Sequence, residues 1–167
     1  KTFEVVLILG YFRPLTYFLS IIKYLSHDYK IGVYIVNIPQ DQYKKNIKSN
    51  ALFIKRCCEF GATILENEKI KTNLLLIPQN TYTKIAQNDI NNNIVARKKI
   101  GILGFAWPGI KKHDQFVSIF KLNKFFSIDK NFTKFLLENR NAKTFDKKII
   151  IETGLPFQKY PIFDDVS

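Results

Sequence analysis

The stretch KFFSIDKNFTKFLLENRNAKTFDKKIIIETGLP, residues 124–156, sets the period on which the chain is built. Phe125, Phe126 and Ile128 form a short apolar run suited to a buried strand. Asp129 comes next, a residue whose carboxylate can accept from the free N–H groups at a helix start, and Phe132, Phe135, Leu136 and Asn139 then recur at helical spacing. Residues 149–151 read as a second buried strand. Gly154, Leu155 and Pro156 break both periods, so a domain edge is expected there. A strand, a capped helix and a strand in this order form a crossover unit, the building block of a parallel sheet.

The same alternation runs upstream. Residues 3–9 are nearly continuous apolar sequence, and Gly10 ends them where a tight strand-to-helix turn is needed. Pro14 suits a first helical turn, and Leu15, Phe18, Leu19, Ile22 and Leu25 fall on one stripe. Residues 31–36 (IGVYIV) predict the next strand, stopped by Pro39. A second helix is expected over 44–60 with Ile47, Ala51, Ile54 and Cys58 inward and Gly61 as its stop. Residues 63–65, 74–77 and 99–103 read as further strands, and 81–87 as a short helix. The polar run NDINNN, 88–93, reads as an exposed loop. Unbroken apolar strands alternating with helices imply a parallel sheet covered on both faces. The expected fold is therefore α/β, a doubly wound, mainly parallel, Rossmann-like sheet of about six strands. Residues 1–153 make this domain, and 154–167 lead out of it as a linker or the start of another.

The chain has 167 residues, enough for one ordinary core, and 46% hydrophobic content describes a folded protein. No apolar run approaches the roughly 18 residues of a membrane span. The opening KTFEVVLILGYF resembles a short secretion signal, but Glu4 interrupts it and no small-residue cleavage site follows, so a first strand is the expectation. The absence of Met points to a chain that is part of something longer. Cys57 and Cys58 are the two cysteines, adjacent and without further partners, which excludes a disulfide framework. They read as thiols of a reducing compartment, and His27 and His113 lie too far apart for a zinc motif.

The formal net charge of +12 comes mostly from dispersed lysines, without an arginine-rich recognition helix. Nucleic acid is thus an unfavoured partner. Phosphate-bearing substrates or an anionic membrane surface suit the pattern, as does a composition rich in Lys, Asn and Ile with no function behind it.

In an open parallel sheet, ligands gather beyond the carboxyl ends of the strands, so the loops after those ends hold the candidates. Gly10 and Arg13 follow the first strand and could approach a phosphate, although the Gly-rich dinucleotide fingerprint is missing and Tyr11 and Phe12 suit simple packing. The loop GFAWPGIKKHDQF, 104–116, carries Trp107, Gly109, Lys111, Lys112 and His113. An imidazole there can take a proton from a hydroxyl, two lysines can neutralise phosphate, and the indole can stack on a sugar or base. Asp129 and Lys130 open the later helix, where free N–H groups could contact substrate and Asp129 suits an N-cap.

Two of these segments, 104–116 and 124–156, resemble the N-terminal domain of GT-B glycosyltransferases, in particular the CDP-glycerol glycerophosphotransferase-like group. Trp107, Gly109, Lys111 and Lys112 are similar to that group's loop, with Pro108 where its histidine falls, and Gly154 with Pro156 resembles its crossing into the donor domain. The resemblance implies the acceptor-side half of a bacterial transferase making capsule, lipopolysaccharide or teichoic-type polymer. The implied partners are a nucleotide-activated sugar or polyol donor, a glycan or lipid-linked acceptor and a second α/β domain, with no cofactor and no metal. It also implies a cytoplasmic location, peripheral on the inner face of the plasma membrane, and no activity for this half alone. Two other readings share the residues: half of a UDP-sugar epimerase-like enzyme, and a non-catalytic basic α/β module that docks on membrane or nucleic acid.

Overall fold

The structure, a computed structural model, describes residues 1–9, 17–36, 47–78, 81, 84–102, 117–127, 130–138 and 148–153. In chain order these hold β1 (Thr2–Leu9), α1 (Tyr17–Leu25), β2 (Ile31–Ile35), α2 (Ile47–Glu59), β3 (Thr63–Leu65), β4 (Ile70–Pro78), α3 (Lys84–Asn93), β5 (Ile94–Ile102), β6 (Lys124–Ser127), α4 (Lys130–Glu138) and β7 (Ile150–Glu152). The strands form one seven-stranded sheet ordered β3-β2-β1-β4-β5-β6-β7. Every neighbouring pair is parallel. The fold is thus a doubly wound, Rossmann-like α/β sheet, and the strand order reverses between β1 and β4.

Both faces are covered, as the unbroken apolar strands require. On one face Val5, Leu7 and Leu9 pack with Phe18, Leu19 and Ile22 of α1 and Phe53 and Cys57 of α2. On the other, Val6, Ile8, Leu75 and Ile77 pack with Ala86 and Ile90 of α3 and with Phe120. Burying one such side chain contributes about 1.5–3 kcal/mol, so the two clusters dominate the stability of the sheet. Gly61 ends α2 with φ of 88°, the left-handed conformation expected of a helix-stopping glycine.

One irregularity spans the central strands. The register skips Glu4 of β1, Asn73 of β4 and Arg97 of β5, which lie on one row. The inward phase slips there, so that Phe3 and Val6, three apart, share a cluster. Thr72, buried beside the slip, places its hydroxyl 3.2 Å from the Glu4 carbonyl and 3.0 Å from that of Leu74. The Glu4 carboxylate accepts from the Lys30 N–H at 2.8 Å, stitching the start of β2 to the same row.

Several local expectations are corrected. Residues 88–93 are helical, because Ala86 and Ile90 are four apart and both fully buried against the sheet, which outweighs the poor helix propensity of asparagine. In α2 the inward pair is Phe53 and Cys57, with Ala51 and Cys58 exposed and Ile54 half-buried, since the large ring takes the core position. β7 is an edge strand with Ile151 38% exposed, and Phe135 is 51% exposed while Thr133 is buried. Among the described residues no helix is long and apolar enough to cross a membrane.

Candidate functional site

A doubly wound sheet sends each strand to one rim and starts each following helix there. Here α1, α2, α3 and α4 follow β1, β2, β4 and β6, so all four begin at the carboxyl rim. The aligned peptide dipoles leave partial positive charge at each start. None of the four has an acidic residue in its first turn. Two go further: α3 opens on Lys84 and α4 on Lys130, both exposed. A cation at a helix start opposes the dipole at a cost of about 0.3–1 kcal/mol, so these two starts gather positive charge at some expense to local stability.

At the end of β4, beside the strand-order reversal, the Thr81 N–H donates to the Pro78 carbonyl at 3.0 Å. Thr81 is fully buried, yet its hydroxyl has no hydrogen-bond partner. Further along the rim the hydroxyls are paired. Thr133 donates to the Ser127 Oγ at 2.9 Å, and the Ser127 carbonyl accepts from the Thr153 N–H at 3.0 Å, locking the ends of β6 and β7 to α4.

Of the residues singled out from the sequence, Lys130 lies at this rim. Gly10, Arg13, Trp107, Gly109, Lys111, Lys112, His113, Asp129 and Gly154 lie outside the described residues. Thr81 and Lys84 were not foreseen. They become candidates only when β4 is known to lie next to β1, and sequence periodicity carries no strand order.

Away from the rim, polar groups are closed off. Tyr34, fully buried in β2, donates to Asp89 at 2.9 Å, and Asn93 donates to the same carboxylate at 2.7 Å. Burial, then the hydrogen bond to Asp89, pushes the Tyr34 phenol up to about 12. Burial pushes the Cys57 thiol up to about 12 as well, with Cys58 adding to it, which leaves Cys57 inert at neutral pH. Lys99 is held below the usual lysine range by burial and by Lys121. Among the described residues no group of three His, Cys, Asp or Glu could hold a metal ion.

Comparison with known protein families, curated proteins and solved structures finds no match for the chain.

Proposed function

We propose that the chain is the acceptor-side domain of a bacterial transferase that builds surface polysaccharide from a nucleotide-activated sugar or polyol donor. The observation that carries this reading is the carboxyl rim of an all-parallel sheet: four helix starts have no carboxylate in their first turns, and lysine leads two of them, α3 beside the strand-order reversal and α4 after β6. Such a rim favours phosphate, the charged part of every nucleotide donor. The net charge of +12 acts in the same direction, raising the local concentration of anions.

In this reading His113 takes the proton from an acceptor hydroxyl as its oxygen attacks the donor, and the bond to the nucleotide phosphate breaks. Arg13, Lys111, Lys112 and Lys130 balance the charge left on the departing phosphate, and Trp107 stacks on the sugar or base. Dispersed lysines also suit a peripheral position on the anionic inner face of the plasma membrane.

Calorimetry on the natural full-length protein with CDP- and UDP-activated donors tests the reading, together with product formation on a glycan acceptor. Binding and turnover of one donor class, with turnover abolished in His113→Ala, is the expected result. Full activity in that variant removes the base, and indifference to every donor overturns the transferase.

A further inference from the structure

The Thr81 hydroxyl is the one buried side-chain polar atom among the described residues that lacks a hydrogen-bond partner. Leaving such a group unpaired costs about 1–3 kcal/mol, and native chains rarely carry that cost without a reason. Its place is informative. Thr81 follows β4, where strand order reverses and an open parallel sheet presents its crevice. Three residues on, α3 begins with Lys84 and has no acidic residue in its first turn. A neutral donor, helix-start N–H groups and a lysine together match the oxygens of a phosphate group.

We propose that Thr81 is a ligand contact, its hydroxyl donating to an oxygen of a diphosphate bound where β1 and β4 part. The inference deepens the proposed function at the same rim, but rests only on the binding of a phosphate-bearing ligand and not on transfer. Paired with a phosphate oxygen, the hydroxyl no longer carries the cost of burial, and that gain favours the bound state.

Thr81→Val keeps the shape of the side chain and removes the hydroxyl, and Thr81→Ala repeats the removal without the risk of overpacking. Thr81→Ser keeps the hydroxyl. Melting of the full-length variants without ligand is compared with calorimetric affinity for inorganic pyrophosphate, CDP and UDP. The valine variant is expected to melt above the parent and to bind pyrophosphate about tenfold more weakly, with serine retaining parental affinity. Parental affinity in both the valine and alanine variants, or no binding of any of the three by the parent, overturns the inference. A dependence seen with CDP and UDP but not with pyrophosphate overturns the phosphate assignment. Thr81-dependent pyrophosphate binding without turnover of any donor sinks the transferase and spares this contact. Donor turnover at parental KM in the valine variant does the reverse.

Discussion

The amino end of the sheet and the part of its carboxyl rim around Thr81 and α3 treat polar groups in opposite ways. At the amino end, Lys1 pairs with Glu68 at 2.8 Å, Lys69 donates to the Asn92 carbonyl at 2.6 Å, and Glu4 accepts from Lys30. Charges there meet partners, and the slipped row at Glu4 is covered by a threonine hydroxyl. At the carboxyl rim, lysines lead two helices against their dipoles and a buried hydroxyl has no partner. One end is arranged for stability. The other gives up some stability, and local rules broken in one place mark where a chain binds something.

This contrast can be broken by sign. Substitutions in the satisfied interior should lose stability, and substitutions at the rim should gain it while losing ligand. The largest loss is expected at Gly32, where an added Cβ would lie 2.5 Å from Leu65 Cδ1 and 3.3 Å from Phe3 Cδ1. Both neighbours are buried, so Gly32→Ala should cost about 1–3 kcal/mol in denaturant unfolding. An unchanged midpoint would show that this seam of the core is loose.

Tyr34→Phe should cost about 1–2 kcal/mol near pH 8, because Asp89 loses its phenol donor. The same residue predicts the alkaline limb. A phenol raised from 10.0 to about 12 on folding contributes stability that is complete below pH 10 and is lost as pH rises through 12. Cys57, raised from 9.0 to about 12, adds a loss that begins near pH 9. Melting temperature should therefore fall between pH 9 and 12, less steeply in Tyr34→Phe. An equal slope in the variant would remove Tyr34 from the account.

Lys84→Glu and Lys130→Glu sharpen the comparison from the other side. Each should stabilise the fold by about 0.3–1 kcal/mol through the helix dipole and weaken pyrophosphate binding. Destabilisation by either would mean that the lysines serve packing. The smallest effect is chemical: a thiol reagent should modify exposed Cys58 quickly and reach buried Cys57 only on unfolding. Two equally fast thiols would contradict the packing of α2.

Much of the fold was legible because burial on both faces writes itself into sequence. The run at residues 3–9 gives β1, the stripe through Phe18, Leu19 and Ile22 gives α1, and Gly61 marks the end of α2. Where the reading failed, packing overrode a local signal. Asparagines at 91–93 look like a loop, but Ile90 against the sheet and Asn93 on Asp89 hold them in α3. Phe135 follows the apolar stripe, yet the Thr133 to Ser127 hydrogen bond turns α4 so that the threonine is buried. The candidate site was less legible: of its members described here, Lys130 was foreseen, and Thr81 and Lys84 were not.

By itself the sequence determined that strands and helices alternate, that the strands are buried on both faces, and that the chain carries a large positive charge. These follow from composition and from periods of two and 3.6 residues, which are local. Strand order, the reversal between β1 and β4, the slipped row at Glu4, Asn73 and Arg97, and the gathering of Thr81, Lys84 and Lys130 on one rim were decided by tertiary structure. They depend on which apolar faces meet across the sheet, and residues distant along the chain settle that together.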